Sequence, residues 1–520
     1  MSDTDETLGP GFRRNMLLVS MLFVAIMAAL DLTIVATALP YMAGGLSATP
    51  DEITWVVTLF SIGQALVIGI TGHLSRLLGR KRLAVIAVVG FVLSSVACGL
   101  SQDLDMIVMF RFIQGLFSGP LIPISQSVLI NAYPAEQRTR VLALWAMGVT
   151  AGPAAGPALG GLLTQSLDWR WNFWVNLPIG IVALLLVLEF MRPVKALNVR
   201  TDWLGLGLLA TCLICLQVAL DQGDRLDWFA SHEIIMLLII AFVGFVVFSV
   251  RGVLIGERNI VNLHLLGDSN FAACSLLMGI TGINFLGFLV LAPEMYVDWL
   301  GWEIVTAGYA IGVSAAALIV ASQLANPLKR LVGTRMAVLM GSAITSLGWY
   351  LFSGMNLDAS PLQVMLPGAL ICSGLMIIFP VIAAQAFANI PARVRDEAAG
   401  LFNLVKTIGF AFGVTFVTTL VYRGMQENWS RIAGFLNPSR PGYSYYVQAT
   451  GYDDGSAELG ALAFRLVEAQ SAILTYSHTM EVLASLGLCA IPLVLFMRTQ
   501  TKTAEPSGSS DREPAHAAVG

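Results

Sequence analysis

Charged residues are scarce in this chain. Asp, Glu, Lys and Arg together make up 12% of its 520 residues, about half the share of an ordinary soluble domain. No basic face is offered to nucleic acid, and the net charge of −4 favours no charged partner. Cysteine is missing from the loops: Cys98, Cys212, Cys215, Cys274, Cys372 and Cys489 all fall inside apolar runs. That excludes a disulfide framework, and Cys212 and Cys215 lack the further ligands a metal site needs. Histidines number only five, and neither H-E-x-x-H nor a nucleophile elbow occurs. No enzyme, resident metal or cofactor is expected. The first apolar run has no small-residue cleavage site after it, so it reads as a retained span.

What is abundant is apolar sequence. Hydrophobic residues make up 56% of the chain, gathered into runs of the roughly 20 residues that a bilayer core demands of a helix. Fourteen candidate spans follow, near 15–39, 52–74, 83–101, 105–129, 140–164, 172–191, 202–220, 232–250, 268–296, 304–326, 335–354, 361–388, 397–422 and 475–497. Lipid offers backbone groups no partner, so the spans are helical. The alternating segments of a membrane β-barrel are absent. The predicted fold is an all-α integral membrane bundle of 14 transmembrane helices.

Charge orients the bundle. With a cytoplasmic N-terminus, 21 of the 29 Lys and Arg residues fall on the inside, as the positive-inside rule requires. Both termini are then cytoplasmic. LSRLLGRKR (Leu74–Arg82) resembles LKRLVGTRM (Leu328–Met336), which marks an internal repeat. Repeated halves are typical of secondary transporters. The copies are separated by eight spans rather than six, so spans 7 and 8 read as an inserted pair. The domains are thus 1–191, an N-terminal six-helix half; 192–267, the inserted pair with linkers; 268–498, a C-terminal six-helix half; and 499–520, a disordered tail by composition. The second half carries an outside loop over 424–474 with an amphipathic stretch, Ala457–Gln470.

Costly residues inside spans are functional candidates. Asp31 lies in ALDLTIVATALP and Arg111 in MIVMFRFIQGLFSGP. Helix rise puts both in the same half of the membrane, about 24 Å up span 1 and ~9 Å down span 4. They could pair, or face one cavity. Gln64, Gln114 and Asn284 are mid-span polar groups that could line a site or hydrogen-bond between helices. Glu294 and Asp298 share a face at the end of span 9, where they could give an outer vestibule a negative field. Gly72 to Arg82, with Gly79, Arg80 and Lys81, forms a tight basic turn. Span 5 carries Gly148, Gly152, Gly156 and Gly160 at four-residue spacing, with Gly161, Pro153 and Pro157. Such a face permits close helix approach, static or moving.

These motifs together resemble the major facilitator superfamily, in particular its 14-span drug:proton antiporters of the EmrB/QacA type, over residues 15–498. LDLTIVATALP is similar to that group's first-helix motif. Gly72–Arg82 resembles the superfamily loop G-x-L-a-D-r-x-G-r-k, with Arg76 where the motif has Asp. Arg111-Phe112-Ile113-Gln114-Gly115 resembles R-x-x-q-G. Gly152–Gly161 resembles the antiporter motif g-x-x-x-G-P-x-x-G-G. WRWNFWVNLPIG and LDQGDRLDWFAS are similar to segments of the EmrB branch.

The resemblance implies a major facilitator fold in the inner membrane that exchanges protons for a small lipophilic substrate. Proton coupling would fall to Asp31 and Arg111. A periplasmic adaptor and an outer-membrane channel are the partners it implies. An uptake symporter of the same fold, or an exporter of one endogenous metabolite, is the alternative. A receptor is disfavoured because the longest soluble segment is only about 50 residues.

Overall fold

The computed structural model describes residues 11–194, 196–197, 201–256, 259–356, 359–435, 441–453 and 456–497, and among these no strand occurs. The tail 499–520 lies outside the described residues. The spanning helices are α1 (Phe12–Ile34), α2 (Trp55–Leu78), α3 (Arg80–Gly99), α4 (Leu104–Ser118, continuing as Leu121–Ala132), α5 (Ala135–Ser166), α6 (Asn176–Phe190) and α7 (Trp203–Gln222). The rest are α8 (His232–Ile255), α9 (Ser269–Glu294), α10 (Ile304–Val332), α11 (Thr334–Ser353), α12 (Pro361–Ala386), α13 (Arg395–Ala433) and α14 (Ala457–Cys489).

Thirteen stretches among the described residues are long and apolar enough to cross a membrane. The remaining expected span, 140–164, lies within the 32-residue α5. The expected span 105–129 is broken at Gly119–Pro120, because proline lacks the donor that would continue the ladder.

Two groups of helices form. In the first, α1 packs on α5 and α6, and α4 on α2 and α3. In the second, α12 packs on α10 and α11, while α13 lies between α9 and α14. The seam between them is made by α2 against α13, and by α5 against α10 and α12.

The repeat seen in sequence returns as backbone geometry. Gly79 joins α2 to α3 with φ +81°, and Gly333 joins α10 to α11 with φ +84°. A side chain is strained at such φ values, so each turn requires glycine.

Two regions differ from expectation. The 424–474 segment is largely helical. α13 runs on to Ala433, Pro441–Thr450 is a short helix, and the amphipathic stretch is the first part of α14. Trp429 packs edge-on against Phe464, and the Asn428 amide donates to Thr475 at 2.9 Å, so the two extensions brace each other. The other region is α7 and α8, expected only as a pair inserted between the halves. α8 packs mainly on α7, but α7 touches both α2 and α13 and so lies across the seam. Asp202 caps α7 and accepts two hydrogen bonds from Arg251 of α8, whose guanidinium holds the carboxyl below the usual range.

Candidate transport site

Asp31 and Arg111 form a buried ion pair, at 0% and 1% exposure, with Arg111 Nη1 2.6 Å from Asp31 Oδ2. Asp31 Oδ1 accepts from the amides of Gln114, at 3.0 Å, and Asn176, at 2.8 Å. Arg111 also donates to the Val56 carbonyl at 3.1 Å and to Gln114 Oε1 at 2.8 Å, and its guanidinium lies 4.0 Å from the Phe60 ring centre. α1, α2, α4 and α6 each supply a partner. A charge pair taken from water needs such full hydrogen bonding to persist.

A cavity of about 600 Å³ lies elsewhere, on the seam. Its wall comes from α1, α2, α4, α5, α7, α9, α12 and α13, and is mainly apolar and aromatic. Of the residues expected to line it, only Gln64 does, with its amide donating to Ser118 at 3.0 Å. Gln114 instead serves the ion pair. Asn284 is buried and donates to the Ile280 carbonyl of its own helix, away from the cavity wall. Glu294 is exposed at the end of α9, where the helix widens into a π turn over Met295–Trp299, and it too is off the wall. Asp31 does not line the cavity in this conformation either.

The basic end of the seam is sealed. Arg76 Nη1 lies 2.9 Å from Glu397, and Arg80 Nε lies 2.7 Å from Asp396. Ser75 donates to Asp396 at 2.6 Å, Asn262 to Glu397 at 2.9 Å, and Arg395 to Asn131 at 2.8 Å. Asp396 and Glu397 occupy the first turn of α13, where the helix dipole favours anions. Arg76, standing where the motif has Asp, therefore meets an acidic partner. Lys81 is turned away from the seam and donates to the Leu188 carbonyl of α6. At Gly72 the two helix groups meet backbone to backbone, since a Cβ there would lie 2.4 Å from Glu397 Cα.

The glycine face of α5 points into its own half. A Cβ on Gly156 would meet Thr33 Oγ1 at 2.1 Å, and one on Gly160 would meet the Ile34 carbonyl at 2.3 Å, both on α1. Gly148 and Gly152 face Ile26 and Leu30, whereas Gly161 has nothing within 4 Å and is not part of the face. The carbonyl of Pro153 accepts from Thr33 at 3.1 Å, and Pro153 also lines the cavity. The Pro157 side chain lies outside the described residues. Gly156→Leu is expected to lower the thermal midpoint of the purified protein, because α1 and α5 cannot separate without loss of core packing. An unchanged midpoint would show that the contact is easily relaxed.

Sequence reasoning missed three groups. Lys406 of α13 lines the cavity at 8% exposure. Asp221 and Asp224, at the end of α7, line it too. Asp396 and Glu397 form the acidic side of the seal. Lys406 had a signal, as a lysine within an apolar run. So did Asp396 and Glu397, as paired acids opening a span opposite a basic loop.

Two packed helix groups, a cavity on their seam and a polar seal at one end define a secondary transporter fold. The Major Facilitator Superfamily profile matches residues 21–414, and the chain belongs to that superfamily, within its EmrB-like branch. It is 30% identical to the multidrug export protein EmrB of Escherichia coli strain K12 over 481 residues, covering 91% of this chain and 93% of that protein. It is 33% identical to the fatty acid resistance protein FarB of Neisseria gonorrhoeae over 415 residues, covering 79% and 82%. The solved proton:xylose symporter XylE shares the fold at a TM-score of 0.59 and 13% identity, covering 94% of this chain and 96% of that one.

Proposed function

We propose that this protein is a proton-coupled exporter of small lipophilic compounds, a multi-pass protein of the inner membrane working by alternating access. The observation that carries this reading is the apolar cavity on the seam, closed at the basic end by the Arg76–Glu397 and Arg80–Asp396 pairs. Along α13 the wall runs from Phe402, just above the seal, to Thr418, about 24 Å by helix rise. A cargo bound there is shut off from the basic end. If that end is cytoplasmic, as the charge distribution argues, this is the outward stage of an export cycle. The EmrB relatives carry export in their names, which supports the direction.

Proton coupling is assigned to the Asp31–Arg111 pair. Asp31 shares α1 with the cavity-lining residues Ala29 and Thr33, so movement of α1 that opens the pair would let its carboxylate meet water and take up a proton. An adaptor and outer-membrane channel would receive cargo at the far end, toward which α13 and α14 extend.

In everted vesicles, lipophilic compounds should release protons when added under a pH gradient, and a vesicle lacking the protein should not respond. No proton release across a broad panel would overturn the reading. Both termini are proposed to be cytoplasmic. A cysteine at Ser456 should therefore react with an impermeant maleimide in intact cells, and protection there would reverse the topology.

A further inference from the structure

Lys406 stands alone in the cavity wall. It lies on α13 at 8% exposure, with Nζ 6.0 Å from the Trp145 ring centre and 5.7 Å from that of Phe410. Among the described residues it makes no hydrogen bond or ion pair. The wall segments from α1, α2, α4, α5, α9 and α12 carry no titratable group, and α14 gives the wall no residue. On α13 itself, Asp396 and Glu397 lie about 14 Å below by helix rise and are held by Arg80 and Arg76. The remaining charges on the wall, Asp221 and Asp224, are engaged elsewhere. Asp224 accepts from Thr418 at 3.1 Å, Thr419 at 2.7 Å and the Trp228 indole at 2.7 Å. Asp221 accepts from Gln217 at 3.0 Å and from the Thr58 hydroxyl. Thr415, which donates to the Leu220 carbonyl, marks the level of Asp221 at about 14 Å above Lys406, and Thr418 marks that of Asp224 at about 18 Å.

A buried ammonium that the chain does not pair is stable only while water reaches it; taken from water, it sheds its proton instead. A lysine can do this, whereas a guanidinium cannot. We propose that Lys406 is a second proton carrier of the export cycle, charged while the cavity is wet and neutral while uncharged cargo fills it. This rests on the cavity being the export site and goes beyond it by adding a titrating group to Asp31.

Cargo and proton then exclude one another at a single atom. Water entering the cavity accepts from the ammonium, and the Trp145 and Phe410 rings add cation–π attraction. An apolar body seated among Trp145, Phe285, Phe379, Phe402 and Phe410 displaces that water and offers no acceptor, so the charged form becomes the costly one. One Nζ–H bond breaks, its electron pair stays on nitrogen, and the proton leaves with a departing water as hydronium. When cargo leaves, the amine takes a proton back from the water that replaces it. With the basic end shut, that proton comes from the far side. In the opposite conformation, loading of cargo discharges a proton to the basic side. Each neutral cargo thus moves against a proton with no contact between Lys406 and Asp31, which stays off the cavity wall.

The sign of proton exchange on binding separates a lysine from a carboxylate. Burial under neutral cargo expels a proton from an amine but draws one onto a carboxylate. Purified full-length protein in weakly buffered detergent is titrated with pyrenebutanol. Binding is read by energy transfer from tryptophan, and protons by an indicator dye. Wild type should release up to about one proton per bound molecule, and its affinity should rise by up to about 10-fold per pH unit where release is maximal. Release should vanish at a pH low enough to keep the amine charged under cargo, and again at a pH high enough to discharge the empty cavity. Lys406→Met and Lys406→Arg should bind without releasing a proton. Asp31→Asn combined with Arg111→Gln should keep the release.

Proton uptake by wild type, no exchange at any pH, or release that survives Lys406→Met would overturn the assignment. The wild-type sign decides even if the variants fail to fold. Export of pyrenebutanol under a pH gradient is followed in parallel. If it is exported while binding releases no proton, only the Lys406 assignment falls. If neither pyrenebutanol nor any other neutral lipophilic compound of a broad panel is bound or exported, the export reading falls and takes the assignment with it.

Discussion

Replacing Asp31 with asparagine is expected to abolish proton-driven export and also to lower the yield of folded protein. The variant leaves the Arg111 guanidinium fully buried between Phe60 and Phe173 with no counter-charge. Breaking one side of a buried pair costs about 3–5 kcal/mol, a large part of a typical folding stability. The single variant therefore mixes a stability loss with a coupling loss. Asp31→Asn combined with Arg111→Gln separates them, since both charges leave together and Gln114 and Asn176 retain polar partners. The double variant should recover folded protein in the membrane yet show no efflux driven by a pH gradient. Normal gradient-driven efflux by the double variant would reduce the pair to a structural tie between α1 and α4.

Gly72→Leu should stop transport by a different route. The Gly72 position meets the backbone of α13 at Glu397, where no rotamer change can yield space. Overfilling a packed interior costs about 1–3 kcal/mol or more, and here the clash falls between halves rather than within one. Each half should fold, while the sealed state loses about 10- to 100-fold in population. Asn131 is buried beneath the seal, where Arg395 binds it. In a background without the native cysteines, Asn131→Cys should react with maleimide faster from the basic side when Gly72 is leucine. Unchanged reactivity together with full transport would show that the seal tolerates the side chain.

Those two positions were legible in the sequence, and for a common reason. A charge inside a membrane helix and a glycine in a basic turn are both expensive or special choices, so each announces itself. The depth estimate placed Asp31 and Arg111 together, and the repeated turn anticipated the matching glycine φ values at Gly79 and Gly333. The cavity wall was not legible in the same way. Lipid and cavity are both apolar neighbours, so an apolar helix carries no polarity contrast that says which face looks where. Gln114, Asn284 and Glu294 stand out in the sequence by their polarity, yet the wall is built mainly of residues such as Phe285 and Phe410. Lys406 was visible as an in-span cation, but only the three-dimensional arrangement shows it without a partner. Likewise, the length of α13 past the membrane depends on its bracing by α14, a pairing of distant segments that no local pattern records.

The position of α7 has a mechanical consequence. Two halves rocking about one seam behave like a pair of jaws, but α7 rests on both jaws at once. When the jaws move apart, α7 must part from at least one of them, and α8, leaning mainly on α7, travels with it. Much of α8 faces lipid. Each turnover would then sweep a lipid-coated flank sideways through the bilayer, so the viscosity of the surrounding membrane would act as a drag on the pump.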